Sequence, residues 1–140
     1  MANPIVLVVD DDRSSADTTV MAIQKFSGNK ISAEAIYGGK ECLLRLEREP
    51  AIQLILLDLN MPEVNGADVI RRLLKKVTAV RFRILMTTAW GTDWVKHWNL
   101  SDLAPTPDFR RLVLSETCDK ANDLSELVDQ VRRAVEEVPR

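Results

Sequence analysis

The run Ile5-Val6-Leu7-Val8-Val9 passes directly into Asp10-Asp11-Asp12. Five consecutive aliphatic residues predict a strand buried on both faces, which is typical of a parallel sheet covered by helices. A similar apolar run occupies residues 52–57 and is followed at once by Asp58. We therefore expect two buried parallel strands that each end in aspartate.

Three further segments predict strands, with amphipathic helices between them. The strand candidates, residues 31–36, 81–87 and 112–118, are rich in aliphatic or β-branched residues. Apolar spacing predicts helices near residues 16–26, 40–48, 67–77 and 124–138, with Ser14 or Ser15 capping the first and Asp123 the last. Five strands alternating with helices imply one domain over residues 1–140, with a doubly wound parallel sheet in three α/β/α layers.

Composition excludes several functional classes. The chain has 140 residues, of which 46 % are hydrophobic and 29 % charged, with a formal net charge of −2. Interspersed charges provide no basic stripe for direct nucleic-acid binding, and the apolar runs are too short to span a membrane. The N-terminus lacks a signal segment, and Cys42 and Cys118 suit a reducing compartment as packed thiols. We expect a cytoplasmic protein.

Several polar residues follow predicted strands and therefore meet at one edge of the sheet, where ligands bind in this architecture. They are Asp10, Asp11, Asp58, Thr88 and Lys120. Taken alone, three consecutive aspartates are more often a solvated turn or helix cap. Two carboxylates about 4 Å apart repel by roughly 4 kcal/mol at an effective dielectric near 20, so the cluster needs a compensating cation or a protonated carboxyl. An all-oxygen site without His or Cys favours Mg²⁺.

Four motifs stand in order along the chain, each at or just after the end of a predicted strand: Val6-Leu7-Val8-Val9-Asp10-Asp11, Asp58-Leu59-Asn60-Met61-Pro62, Met86-Thr87-Thr88-Ala89 and Lys120-Ala121-Asn122-Asp123. Gly66 follows the second motif. With these motifs the chain resembles the receiver domain of two-component response regulators over most of its length. The resemblance implies a flavodoxin-like sheet with the strand order 2-1-3-4-5.

The resemblance also implies a phosphorelay function. Asp58 would accept a phosphoryl group from a sensor histidine kinase or a phosphotransfer protein. Asp11, Asp58 and the backbone carbonyl of Asn60 would bind Mg²⁺, with Asp10 acting mainly through water. Such a chain is not an enzyme toward other molecules, since it catalyses only its own phosphorylation and dephosphorylation.

Two further residues would contact the phosphoryl group. The Thr88 hydroxyl and the Lys120 ammonium would bind its oxygens and stabilise charge in the transition state. Thr87 is a rival for the role of Thr88, which we favour because it precedes Ala89.

The sequence departs from the family pattern in three places. The interval from Thr88 to Lys120 is long, which indicates an insertion around residues 99–107. Ala121 stands where the family commonly has proline, which puts the placement of Lys120 in doubt. Thr117 replaces an aromatic residue that moves inward after phosphorylation in the family, so the usual switch is also in doubt.

Trp90, Trp94 and Trp98 recur every four residues. They form either a packed helix face or a surface for an output domain, another protein partner or a second copy of the chain. We expect His97 to be a surface residue without a role.

Two other functions stay open: a phosphorylation-independent interaction domain, and a phosphohydrolase. Such hydrolases usually carry a second aspartate where this chain has Asn60.

Overall fold

The structure, a computed structural model, describes residues 3–48, 51–76, 81–119, 121 and 123–137. These residues form a parallel sheet whose strands are β1 (Ile5–Val9), β2 (Ser32–Ile36), β3 (Ile52–Asp58), β4 (Arg83–Thr87) and β5 (Val113–Cys118). The helices are α1 (Arg13–Phe26), α2 (Gly39–Arg48), α3 (Gly66–Leu74), α4 (Trp94–His97), α5 (Pro107–Leu112) and α6 (Leu124–Glu137). The sheet order is β2-β1-β3-β4-β5. The α/β class and the expected strand order are confirmed.

Helices cover both faces of the sheet because its central strands are apolar on both sides. In β1, Leu7 and Val9 pack into the layer that contains α2, α3 and α5. Val6 and Val8 point to the other face and pack against α1 and α6. Each large apolar side chain buried in this way contributes about 1.5–3 kcal/mol. The uninterrupted apolar run of β1 is thus explained by burial on two faces.

The cap of α1 differs from the prediction. The Asp12 carboxylate accepts a hydrogen bond of 3.1 Å from the backbone N–H of Ser15, which makes Asp12 the N-cap. The prediction of Ser14 or Ser15 was wrong because the last aspartate of the run already supplies the capping oxygen. At α6 the predicted cap is confirmed, since the backbone N–H of Glu126 donates to Asp123 at 2.9 Å.

The segment between β4 and β5 contains only short helices. A turn of 3-10 helix, Gly91–Asp93, leads into the four-residue α4, and further turns lead into α5. Trp94 is buried and stacks on Phe109 with ring centroids 6.2 Å apart, and Leu100 is fully buried. The Arg71 guanidinium of α3 donates to the Trp98 carbonyl at 2.6 Å. Packing against the sheet therefore holds this segment in place.

Four expected strand boundaries shift: β2 begins at Ser32, β3 extends to Asp58, and the starts of β4 and β5 also differ. β4 begins at Arg83, and Leu112 ends α5 instead of beginning β5. The Arg83 guanidinium donates to the carbonyls of Arg110 and Arg111 at 3.0 and 3.1 Å, so the start of β4 is tied to the end of α5. Expected helix residues Val77 and Val138 lie outside the described part of the chain.

Both cysteine thiols are buried and free. Desolvation raises the pKa of each, to about 12 in both Cys42 and Cys118, so each thiol keeps its proton at neutral pH. Among the described residues, no helix combines the length and apolar character needed to cross a bilayer.

Candidate functional site

Three carboxylates converge at the carboxyl ends of β1 and β3. Ligand oxygens of Asp10, Asp11 and Asp58 lie within 4.8 Å of one another. Asp10 and Asp58 are buried, with exposed fractions of 6 % and 5 %, whereas Asp11 is exposed. The structure thus brings together the acidic residues that the sequence predicted to meet, although Asp58 follows Asp11 by 47 residues along the sequence.

Strand pairing brings these residues together. β1 and β3 are parallel neighbours with Val9 opposite Leu57, so Asp10, which follows β1, lies beside Asp58, the last residue of β3. Asp10 is held by the hydrogen bond from its own N–H to the Ile36 carbonyl, at 3.0 Å. Its carboxylate also accepts from the backbone N–H of Asp12 at 3.0 Å. Asp10 is therefore held on both its backbone and its side chain.

The loop after Asp58 is closely packed against the start of α3. The Gly66 N–H donates to the Leu59 carbonyl at 2.9 Å. A Cβ atom at Gly66 would lie 2.7 Å from the Asp58 carbonyl oxygen and 2.9 Å from the Leu59 Cα, which are distances no side chain tolerates. Asn65 caps α3 in a reciprocal pair with Asp68. Asn60 is exposed in this loop, two residues after Asp58.

A cavity of about 310 Å³ opens beside the carboxylates, between α1 and α6. Its polar lining includes Asp10, Asp58 and Thr87, and Leu124 and Leu127 contribute an apolar side. Four hydroxyl-bearing residues of α1 also line it: Ser14, Ser15, Thr18 and Thr19. Sequence reasoning missed these hydroxyls. Their helical spacing directly after the aspartate run was the signal that could have identified them.

The two threonines at the end of β4 have different surroundings. Thr87 lies opposite Asp58 where β4 pairs with β3, and it lines the cavity. Thr88 is buried, and its hydroxyl oxygen accepts a hydrogen bond from the Trp90 N–H at 3.0 Å. The backbone N–H of Thr88 donates to the Cys118 carbonyl at 2.9 Å. Lys120 lies outside the described residues, so its role stays a prediction.

The three tryptophans separate into different environments. Trp94 is buried and Trp98 half-buried against the core, as the packed-face interpretation predicts. Trp90 is 53 % exposed and packs against the exposed His97, with ring centroids 4.2 Å apart and ring planes tilted by 36°. Of the three, Trp90 is the one that fits a partner surface.

Among curated proteins, the chain is similar to several much longer ones. A Haloferax volcanii protein is 35 % identical over 95 residues, which are 68 % of this chain and 16 % of that protein. The DNA-binding dual master transcriptional regulator RpaA of Synechocystis is 32 % identical over 63 % of this chain and 35 % of its own length. A protein-glutamate methylesterase of Treponema denticola is 36 % identical over 60 % of this chain and 22 % of its own length. The chain thus spans about a third or less of these relatives.

Solved structures show the same fold. A response regulator receiver protein from Pseudomonas putida superposes with a TM-score of 0.69 at 25 % identity, covering 95 % of this chain and 98 % of that one. A receiver domain protein from Methanospirillum hungatei has a TM-score of 0.71 at 20 % identity, with coverage of 97 % and 96 %. The family described as the response regulator receiver domain matches residues 6–101, which is more than half of the chain. With its five-stranded parallel sheet and the carboxylates clustered at the strand ends, the chain belongs to the response regulator receiver domain family.

Proposed function

We propose that this receiver domain accepts a phosphoryl group on Asp58 from a sensor histidine kinase or a phosphotransfer protein. The observation that supports the proposal is the convergence of Asp10, Asp11 and Asp58, two of which, Asp10 and Asp58, line a cavity together with Thr87. Asp58 is buried at the end of a central strand, so its position is determined by the sheet. A nucleophile held in this way loses little conformational freedom when it reacts.

The donor set fits Mg²⁺. The three clustered side chains offer only carboxylate oxygens, which are the ligands that this hard cation prefers. Asp11, Asp58 and the Asn60 backbone carbonyl would bind the ion, and Asp10 would act mainly through water. When bound, Mg²⁺ would offset the negative charge that a phosphoryl group brings to the carboxylates.

The proposed reaction exchanges one bond to phosphorus for another. A carboxylate oxygen of Asp58 attacks in line and forms an O–P bond, while the bond from phosphorus to the donor histidine nitrogen breaks. That nitrogen keeps the electron pair, and the departing imidazole is neutral because its other nitrogen carries a proton. The Thr88 hydroxyl and the Lys120 ammonium would donate hydrogen bonds to the phosphoryl oxygens.

Intact-mass measurement after incubation with acetyl phosphate tests this function. We expect one phosphoryl group per chain in the presence of Mg²⁺ and essentially none when EDTA removes the ion, because the carboxylates then repel the incoming anion. Equal incorporation with Mg²⁺ and with EDTA would contradict the metal requirement. No incorporation under either condition would contradict phosphoacceptor function with this donor.

Asp11→Ala should weaken Mg²⁺ binding by about tenfold or more, because it removes one of three clustered oxygen ligands. Titration followed by tryptophan fluorescence or calorimetry gives the affinity. Asp102→Ala is the matched control, since Asp102 is also an exposed aspartate but lies outside the cluster. An unchanged affinity in Asp11→Ala would remove Asp11 from the metal site.

Separate Thr88→Val and Thr87→Val variants distinguish the two threonines. We expect Thr88→Val to lower the phosphorylation rate by about tenfold or more through loss of a hydroxyl donor to the phosphoryl group. Thr87→Val should have the smaller effect, although Thr87 lines the cavity. The reverse order would assign the role to Thr87.

The proposal extends to partners and location. The two free buried thiols suit a reducing, cytoplasmic compartment, where kinase and receiver would meet. The exposed Trp90 is the proposed contact for an output domain, another protein or a second copy.

Thr117 in place of an aromatic residue favours a second candidate function, that of a receiver that binds partners without phosphorylation. Partner binding that beryllofluoride, a phosphoryl mimic, leaves unchanged would favour that candidate.

A further inference from the structure

A chain of hydrogen bonds connects the end of β4 to the C-terminal helix α6. The Trp90 N–H donates to the Thr88 hydroxyl at 3.0 Å, and the Thr88 N–H donates to the Cys118 carbonyl at 2.9 Å. The Cys118 thiol then donates to the side-chain oxygen of Gln130 on α6, at 3.0 Å. These hydrogen bonds join three separate segments of the polypeptide: the end of β4, the end of β5 and α6.

Gln130 contacts the end of β5 with both halves of its amide. Its Oε1 accepts from the Cys118 thiol, and its Nε2 donates to the Thr117 carbonyl at 3.1 Å. Burial raises the pKa of Cys118 to about 12, so the thiol keeps its proton and can donate. Two bonds from one planar amide fix both the position and the orientation of the strand end.

We propose that Gln130 is a positioning residue for Thr88, holding the end of β5 so that the Cys118 carbonyl fixes the Thr88 backbone beside the phosphoacceptor site. The inference rests on the proposed function of Asp58 and adds the regulation of that site by α6. Gln130 is not among the residues that line the cavity, and its two described side-chain hydrogen bonds both go to the end of β5, so its proposed route to the site runs through Cys118 and Thr88.

The same geometry makes α6 sensitive to the site. Leu124 and Leu127 of α6 line the cavity, while Gln130 holds the strand end one turn further along. A shift of the Thr88 backbone toward a phosphoryl group would strain its bond to the Cys118 carbonyl and, through Cys118, the bond to Gln130. This route needs no aromatic side chain at Thr117. It therefore provides a means of coupling phosphorylation to α6 in a chain that lacks the family's usual switch residue.

Gln130→Met tests the proposal, because methionine is of similar length but makes neither amide bond. Gln24→Met is a matched control: Gln24 is also a half-buried helical glutamine, and its Nε2 donates to the Ala33 carbonyl at 3.3 Å, away from Thr88. With acetyl phosphate and Mg²⁺, we expect Gln130→Met to phosphorylate at least about threefold more slowly than Gln24→Met. The Mg²⁺ affinity should stay within about twofold of wild type in both, since the hydrogen-bond chain includes no carboxylate.

A double variant separates positioning from general weakening. If Gln130 and Cys118 act through one chain of bonds, Gln130→Met combined with Cys118→Ala should phosphorylate no more slowly than the slower single variant. Multiplying rate losses in the double variant would overturn the proposal. An unchanged rate in Gln130→Met would overturn it as well.

Amide hydrogen exchange tests the positioning without phosphorylation. We expect the Thr88 N–H to exchange at least about fivefold faster in Gln130→Met than in Gln24→Met at equal pH and temperature. Equal Thr88 exchange in the two variants would refute the positioning role. If the wild type takes up no phosphoryl group, the proposed function of Asp58 fails, but the exchange measurement still tests Gln130.

Discussion

Asp58→Asn should lower phosphoryl incorporation from acetyl phosphate and Mg²⁺ by at least about a thousandfold, because the amide lacks the anionic oxygen that attacks phosphorus. Asparagine has nearly the same shape as aspartate, so the loss should not come from altered packing. Intact mass over a time course measures the rate. Asp102→Asn, an exposed substitution outside the cluster, should incorporate phosphate as the wild type does.

The same variant makes a second, independent prediction about stability. Asp58 is one of three carboxylates whose oxygens lie within 4.8 Å of one another, and removing one charge relieves repulsion. In buffer with EDTA, Asp58→Asn should therefore unfold at a temperature no lower than that of wild type. Incorporation equal to wild type would refute the assignment of Asp58. A lower unfolding temperature would contradict the expected relief of repulsion.

Gly66→Ala should destabilise the fold and slow phosphorylation together. The new Cβ would lie 2.7 Å from the Asp58 carbonyl oxygen and 2.9 Å from the Leu59 Cα, so backbone next to the phosphoacceptor must move. Overpacking of this kind costs typically about 1–3 kcal/mol. A displaced Asp58 should also slow phosphorylation by about tenfold or more, since reactivity depends closely on geometry.

Gly28→Ala is the control for that prediction. Gly28 has a φ of +62° and nothing within 4 Å of an added Cβ, so alanine there costs only backbone strain, about 1–2 kcal/mol. We expect Gly28→Ala to lower the unfolding midpoint in denaturant but to leave the phosphorylation rate of the folded protein unchanged. If Gly66→Ala also kept the wild-type rate, Gly66 would not position the Asp58 loop.

The predicted strands and acidic cluster depended on patterns that are local along the chain. The apolar runs before Asp10 and Asp58 predicted buried parallel strands, and parallel strands carry their carboxyl ends to one edge of the sheet. The motifs that resemble receiver domains added the strand order. The N-cap of α1 was missed because Asp12, Ser14 and Ser15 are all good capping residues, and only the backbone path shows which oxygen reaches a free N–H.

The sequence by itself determined the α/β class, the two aspartate-terminated central strands and the acidic residues that meet, because each follows from periodicity or from an element's end. Tertiary structure alone placed the tryptophans, since burial of Trp94 and exposure of Trp90 depend on packing against Phe109 and His97. It alone joined Gln130 to Cys118. Contacts between distant segments depend on how strands and helices pack in three dimensions, and spacing along one chain carries no record of that packing.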